Sequence, residues 1–127
     1  MKRIILDTNM LMVPGSLGID ILKEIDRICL FRYELCILEP TLNELEKLAK
    51  GKTKTSIQAK LAMALIKHAK MHVIKSEGFV DDLLIEEGEN KDTIIATQDQ
   101  PLKRKLKAQG TATIVLRNKR FLQFLEY

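Results

Sequence analysis

Several common sequence features are scarce or missing in this chain of 127 residues. Two cysteines, Cys29 and Cys36, are too few for a disulfide framework, so we expect both to be buried, reduced thiols. No apolar run is long enough to cross a bilayer, and the first residues, MKRIILD, lack the apolar stretch and cleavage site of a signal peptide. We therefore expect a cytoplasmic protein with no membrane partner.

The sequence also lacks several motifs that would identify an enzyme class. It contains no G-x-x-x-x-G-K-[ST], no G-x-G-x-x-G and no G-x-S-x-G, so no motif indicates a nucleotide-binding loop or a serine nucleophile. We find no internal repeat, low-complexity segment or linker. The composition, 46% hydrophobic and 30% charged, is typical of a globular protein. The length predicts one domain over residues 1–127.

Two further site chemistries fit poorly. The four candidate zinc ligands, Cys29, Cys36, His68 and His72, do not have the spacing of zinc fingers. The Asp-Thr-Asn triplet at residues 7–9 is not followed by the second aspartate, two positions on, that a phosphotransferase nucleophile would have. Neither zinc binding nor phosphotransfer is therefore favoured.

Apolar periodicity predicts strands that alternate with helices. The predicted strands are residues 3–7, 34–38, 72–74, 93–97 and 111–116. The predicted helices are residues 20–32, 40–51, 56–69, 79–88 and 100–110. A turn is expected at 13–18, a polar loop at 52–56 with Ser56 as a helix cap, and one or two amphipathic turns at 120–127. Such alternation predicts an α/β fold with a parallel sheet between helices.

Acidic residues occur where this fold would bring them together. Asp7 ends the first predicted strand and Asp99 follows the fourth, and the ligand crevice of a parallel sheet lies at the carboxyl ends of its strands. Glu44, Asp81 and Asp82 lie in helices that follow other strands. Converging carboxylates repel one another unless cations are present, and Mg²⁺ or Mn²⁺ is the usual choice for such oxygen ligands.

Most of these acids also have a purely structural interpretation. Glu44 stands three residues after Thr41, which is the spacing of a capping box. Asp99 suits the N-cap of the following helix, and Asp81 and Asp82 suit a helix amino terminus, where the dipole favours negative charge. The aspartate at the end of the first strand has no such local role unless it begins a turn.

The charges are unevenly distributed along the chain. Residues 77–92 carry seven acids and one lysine, whereas residues 99–127 carry seven cations and two acids. One interpretation is ordinary solvated helix faces. The other is an acidic pocket that holds cations beside a basic surface that holds a polyanion.

Four segments carry a family resemblance. IILDTNMLM, PTLNELEKL, DDLLIEEG and IIATQDQPLKRKL follow one another with the order and approximate separations of the PIN-domain ribonuclease family, over essentially the whole chain. Within that family, TQDQPLKRKLKAQG looks most like the archaeal and eukaryotic branch related to ribosomal RNA processing. The resemblance implies a three-layer α/β/α sandwich with a mainly parallel central sheet.

The resemblance also implies an acidic, metal-binding catalytic site. Its members by position are Asp7, Glu44, Asp82 and Asp99. Asp82 is preferred to Asp81 because it directly precedes the apolar triplet LLI. Asn9 and Thr97 would orient carboxylates or the attacking water, and Glu86 is a possible outer ligand.

Hydrolysis of single-stranded RNA by a water that Mg²⁺ or Mn²⁺ activates is the implied activity. We expect the cations of the carboxyl-terminal third to contact RNA phosphates: Lys103, Arg104, Lys105, Lys107, Arg117, Lys119 and Arg120, with Lys50, Lys52 and Lys54 as further candidates. Aromatic residues make up only 5% of the chain, so no base-stacking platform is evident.

Two functions stay open at this point. The first is an endoribonuclease, either in RNA maturation or as the toxin of a toxin–antitoxin pair, with a processing complex or an antitoxin as its protein partner. The second is a nuclease-like RNA-binding or scaffold module that does not cut. The apolar segment FLQFL at residues 121–125 suits either a homodimer interface or the monomer core.

Overall fold

A computed structural model describes all residues from Met1 to Tyr127. Six strands form one sheet: β1 (Lys2–Leu6), β2 (Tyr33–Leu38), β3 (His72–Ile74), β4 (Thr93–Ala96), β5 (Ala112–Arg117) and β6 (Phe121–Leu125). Their order is β3-β2-β1-β4-β5-β6, and all neighbours are parallel except the β5–β6 pair, which is antiparallel.

Seven helices flank this sheet: α1 (Thr8–Leu11), α2 (Val13–Leu17), α3 (Ile21–Ile28), α4 (Glu39–Leu48), α5 (Lys54–His68), α6 (Val80–Glu87) and α7 (Gln100–Ala108). Because side chains alternate along a strand, Ile4 and Leu6 of β1 pack with the buried residues of α1–α5, whereas Ile5 packs with α6 and α7. The two apolar clusters make the three-layer α/β/α sandwich that the sequence predicts. No helix has the length and apolar character needed to cross a membrane.

The two cysteines are buried on opposite faces of the sheet. Cys29 belongs to the larger apolar cluster and Cys36 to the smaller one, and neither forms a disulfide. Burial raises the pKa of each thiol to about 11. Both therefore behave as small apolar side chains that stay protonated at neutral pH.

The turn predicted at residues 13–18 is wrong, because most of the segment forms the short helix α2. Pro14 lies in its first turn, where a proline needs no amide partner, and Gly18 ends it in the left-handed conformation. Gly15 lets α2 approach α5 closely, since a Cβ atom at this position would lie 2.9 Å from the Gln58 Cα. Gly15 thus marks a close contact between two helices, whereas Pro14 and Gly18 mark the start and the end of α2.

The expected loop and cap before α5 are also corrected. Thr53, not Ser56, is the N-cap, and its Oγ1 accepts the Ser56 amide at 3.1 Å. The helix therefore begins at Lys54, inside the stretch predicted to be a polar loop. Either residue has the hydroxyl that a cap needs, but the Ser56 hydroxyl donates to the Lys50 carbonyl at 2.9 Å instead.

The amphipathic turns predicted at residues 120–127 are replaced by the edge strand β6. Leu122 is 1% exposed in the larger apolar cluster, and its amide donates to Glu24 Oε1 at 2.9 Å. The Arg27 guanidinium donates to the Leu122 carbonyl at 3.1 Å. These contacts with α3, together with the β5 ladder, override local spacing that also suits a helix.

Replacing Leu122 with alanine tests the role of β6 as part of the core. We expect Leu122→Ala to lower the free energy of unfolding by about 2–5 kcal/mol, because it leaves a cavity under the sheet. The matched control is Leu30→Ala, at a leucine that is 93% exposed, which we expect to change stability by less than about 0.5 kcal/mol. Urea unfolding measures both, and equal effects would contradict this placement of the strand.

Candidate active site

Three of the four predicted catalytic acids, Asp7, Glu44 and Asp99, lie around one cavity at the carboxyl ends of β1 and β4. These strands are parallel neighbours with Leu6 opposite Ala96, so Asp7 and Thr97 leave the sheet side by side. The chain runs outwards from β1 through β2 to β3 and then returns to place β4 on the other side of β1. This is the switch point at which open α/β sheets form their ligand crevice.

Asp7 is buried and, contrary to the sequence expectation, has a local structural role as the N-cap of α1. Only 6% of the Asp7 surface is exposed. Thr97 Oγ1 donates to its Oδ2 at 2.9 Å, and the Thr8 amide donates to its Oδ1 at 2.8 Å. Burial raises the pKa of the Asp7 carboxyl, and the Asp81 and Glu44 carboxylates raise it further, although the two hydrogen bonds oppose the rise. The carboxylate is therefore rigidly placed but poorly compensated.

A second set of hydrogen bonds joins the residues after β1 to those after β4. The Gln98 amide donates to Asn9 Oδ1 at 2.9 Å, and Gln98 Nε2 donates to the Asn9 carbonyl at 2.8 Å. Asn9 Nδ2 in turn lies 3.3 Å from Asp7 Oδ2. This pairing fixes the relative position of the two chain segments that carry the strand-end aspartates.

Asp99 has the capping role that its sequence position suggests and also faces the crevice. Its Oδ1 accepts the Leu102 amide at 2.9 Å, which makes it the N-cap of α7. Its own amide donates to Thr97 Oγ1 at 3.1 Å, so Thr97 contacts both aspartates. One carboxylate oxygen caps the helix, and the other can bind a ligand.

Glu44 does not belong to a capping box. Helix α4 begins at Glu39, so Thr41 lies inside the helix rather than at its N-cap, and its buried hydroxyl has no hydrogen-bond partner. The Glu44 side chain instead accepts the Thr8 hydroxyl at 3.1 Å. This contact draws the glutamate towards the strand end and favours the site interpretation over the capping one.

A cavity of about 280 Å³ opens between these elements, and its lining is Asp7, Thr8, Asn9, Glu44, Val80, Asp81 and Asp99. Asp82 and Glu86 are not among the lining residues. Successive residues of an α-helix point about 100° apart, and of the neighbouring aspartates at the start of α6 it is Asp81 that lines the cavity. The geometry therefore favours Asp81 where the family resemblance favoured Asp82.

The other charged side chains lie outside this cavity. Glu87 pairs with Arg3 at 2.7 Å, at the opposite end of β1, and so does not crowd the acidic site. His68 and His72 are exposed and do not line it. A larger cavity of about 390 Å³ lies at the amino ends of β1, β4 and β5 and contains none of the predicted site acids.

Comparison with known proteins shows the family to which the chain belongs. Residues 4–119 match the family model described as PIN like domain. The chain belongs to the PIN-like family. Ribonuclease VapC4 of Methanocaldococcus jannaschii is 33% identical over 127 residues, covering 97% of this chain and 96% of that protein. Ribonuclease VapC9 of Archaeoglobus fulgidus is 32% identical over 107 residues, covering 84% of this chain and 76% of that protein.

Solved structures confirm the PIN-like fold. The PIN domain endonuclease Utp24 superposes with a TM-score of 0.78 at 19% identity, over 98% of this chain and 92% of that one. A domain of a functionally unknown protein from Methanocaldococcus jannaschii has a TM-score of 0.63 at 18% identity, over 92% of both chains. At such identities the likeness concerns the fold alone.

The donor set of this PIN-like site fits a hard divalent cation. All of the acidic side chains that line the cavity offer carboxylate oxygens, and the most buried of them, Asp7, has a raised pKa that a cation would lower. No three His, Cys, Asp or Glu side chains stand close enough together to hold a metal ion by themselves. Mg²⁺ suits such an incomplete set, because it retains several waters and uses only one or two carboxylates.

Two residues that position the site, Thr8 and Gln98, are missing from the predicted site residues. Thr8, which orients Glu44, and Gln98, which holds Asn9, both lie inside quoted motifs, D-T-N and T-Q-D. Their adjacency to the strand-end acids was the available signal. Their partners are 36 and 89 residues away in the chain, so the contacts themselves could not be derived from spacing.

The raised pKa of Asp7 predicts a pH-dependent cost of folding. An aspartate whose folded pKa exceeds its unfolded value contributes stability at low pH, and that contribution is lost as the pH rises from about 4 through the folded pKa. Without divalent cations, Asp7→Asn should therefore melt at a higher temperature than the wild type at pH 7. We expect the difference to shrink as the pH falls towards 4.

Thermal melting in chelator between pH 4 and pH 8 measures this difference. The control is Glu46→Gln, which removes an exposed carboxylate of α4 and should show little difference at any pH. A lower melting temperature for Asp7→Asn throughout the range would mean that the hydrogen bonds to the carboxylate outweigh its burial.

Proposed function

We propose that this PIN-like chain is a metal-dependent endoribonuclease that hydrolyses phosphodiester bonds of single-stranded RNA. The observation that carries the proposal is the buried Asp7 carboxylate, which shares one cavity at the sheet switch point with Asp99, Asp81 and Glu44. The two curated relatives are named ribonucleases and match most of the chain, which supports the same activity class.

The chain's own contribution to catalysis is a preorganised set of oxygen ligands. Asp7, Asp99, Asp81 and Glu44 would hold Mg²⁺ or Mn²⁺, with Asp82 and Glu86 as the less favoured candidates. A bound divalent ion supplies Lewis acidity, which promotes ionisation of the attacking water and stabilises the leaving oxygen. Thr97 and Thr8 fix the Asp7 carboxylate, so little reorganisation is needed when the substrate arrives.

Phosphate contacts must come from outside the acidic cavity, because its carboxylates repel RNA. We assign them to the cations of α7, the end of β5 and the β5–β6 turn: Lys103, Arg104, Lys105, Lys107, Arg117, Lys119 and Arg120. Lys50 and Lys52 lie on the exposed connection between α4 and α5, and Lys54 is the first residue of α5; these three are secondary candidates. A protein partner, either a processing complex or an antitoxin, would then select the target RNA.

One observation favours a second function, that of an RNA-binding module that does not cut. The site acids do not form a complete three-residue metal group in the absence of substrate. In a nuclease of this type, however, substrate phosphate supplies ligands that the protein lacks. Cleavage assays decide between the two functions.

Substitution of the individual acids tests their roles. We expect Asp7→Asn and Asp99→Asn each to lower the cleavage rate at least about 100-fold. Asparagine at position 99 retains the N-cap of α7, so loss of activity there would not reflect loss of the helix. Circular dichroism checks the fold, and full activity in either variant would remove that residue from the site.

The choice of third acid is tested by a matched pair. Asp81→Asn should lower the cleavage rate more than Asp82→Asn, because only Asp81 lines the cavity. The two variants carry the same charge change on adjacent residues of one helix turn, so long-range charge effects are nearly equal. The reverse order would restore the assignment that the family resemblance favoured.

Product chemistry separates a metal-activated water from attack by the RNA 2′-hydroxyl. The latter commonly uses a histidine base and needs no metal, and neither histidine lines the cavity. We expect 5′-phosphate and 3′-hydroxyl ends, loss of activity in chelator, and recovery with Mg²⁺ or Mn²⁺. Mass spectrometry of the products checks this, and cyclic 2′,3′-phosphates or chelator-resistant cleavage would contradict it.

A further inference from the structure

A second cavity, which we call the basic groove, runs between α7 and the β5–β6 hairpin. Its volume is about 170 Å³. Four cations line it: Lys103, Arg104 and Lys107 on one face of α7, and Arg117 at the end of β5. Lys105, Lys119 and Arg120 carry the same charge but do not line it. The structure therefore divides the seven cations that the sequence treats as one group.

No acidic side chain forms an ion pair with a cation of the groove. The ion pairs of the structure are Lys2–Asp92, Arg3–Glu87 and Arg27–Glu24, and none of them includes a groove cation. Burial and the neighbouring Arg117 guanidinium lower the pKa of Lys103, and Asp99 opposes this only in part. Packing like charges in one groove is unfavourable unless an anion binds between them.

The floor of the groove is apolar and partly aromatic. It consists of Val115, which is buried, Leu125, which is partly buried, and the ring of Tyr127, which is 49% exposed. The Lys107 ammonium lies 5.6 Å from the centre of that ring. Such a surface suits a ligand that carries an anionic group on a flat organic body. A nucleotide has both parts.

We propose that the basic groove binds one nucleotide of the substrate RNA outside the scissile bond, its phosphate between the four cations and its base against Tyr127. Asp99 caps the helix on which Lys103 stands one turn later, about 6 Å along the axis. A nucleotide held here would therefore be fixed relative to the acidic cavity. The inference rests on the proposed function for its choice of RNA as the source of the nucleotide.

Binding of a short fluorescein-labelled single-stranded RNA, measured by anisotropy in excess chelator, tests the cationic part. We expect the double variant Lys103→Met and Lys107→Met to bind at least about 10-fold more weakly and to flatten the plot of log Kd against log salt by about 0.7, since the groove neutralises one phosphate and each neutralised phosphate contributes about 0.7. The matched control is Lys23→Met with Lys67→Met, which removes the same charge from exposed lysines of α3 and α5 outside the groove and should change the Kd less than about 2-fold. Equal losses in both double variants would mean that RNA responds to the overall positive charge rather than to the groove, and would overturn the proposal.

Substitution of the ring tests the base contact. Tyr127→Leu should weaken RNA binding by about 5-fold or more, whereas Tyr127→Phe should bind as the wild type does. Phe79→Leu is the matched control, because Phe79 is an aromatic residue that is 82% exposed and lies outside the groove. Equal weakening in the Tyr127→Leu and Phe79→Leu variants, or no weakening in Tyr127→Leu, would overturn the base contact.

Competition identifies the source of the nucleotide. Unlabelled RNA should displace the probe at lower concentration than uridine monophosphate, and uridine monophosphate at lower concentration than inorganic phosphate. Equal potency of uridine monophosphate and inorganic phosphate would mean that the groove binds only an anion, which contradicts the base contact. Equal potency of uridine monophosphate and RNA would mean that the ligand is a free nucleotide and not RNA. Because chelator suppresses metal-dependent cleavage, these outcomes are independent of whether the chain cuts RNA.

Discussion

Burial of one carboxylate at the end of β1 is the constraint on which the rest of the site depends. An ionised aspartate that is 6% exposed must receive hydrogen bonds or a cation, because desolvation otherwise favours its neutral form. Thr97 and the Thr8 amide supply two hydrogen bonds. The neighbouring carboxylates raise the pKa of Asp7 instead of lowering it. The fold therefore holds a charge whose compensation is incomplete without a positive partner.

Helix α7 runs from the acidic cavity to the basic groove. Its N-cap, Asp99, faces the acidic cavity, whereas Lys103, Arg104 and Lys107, one to two turns further along the helix, face the basic groove. The two buried leucines of the helix, Leu102 and Leu106, anchor it to the sheet between these regions. One amphipathic helix thus separates the charges that would hold cations from those that would hold RNA.

Much of the fold was predictable, because a short run of apolar residues identifies each parallel strand. The parallel strands were placed correctly, but β6 was not, because Phe121, Leu122, Phe124 and Leu125 have a spacing that suits a helix as well as a strand. Pairing with β5 and contacts with Glu24 and Arg27 decide between the two, and these partners are distant in the sequence. For the same reason, motif positions identified the strand-end aspartates, whereas the direction in which Asp81 or Asp82 points depends on the rotation of α6, which a sequence does not specify.

In the proposed function, carboxylates from separate parts of the chain hold one divalent cation at the carboxyl ends of β1 and β4. A crystal structure of the protein soaked in Mn²⁺, with anomalous diffraction data, tests it most directly. We predict an anomalous peak within bonding distance of an Asp7 carboxylate oxygen, with at least one of Asp81, Asp99 and Glu44 contributing a second ligand directly or through water. A crystal in which Mn²⁺ binds elsewhere while the acidic cavity stays empty would contradict the account.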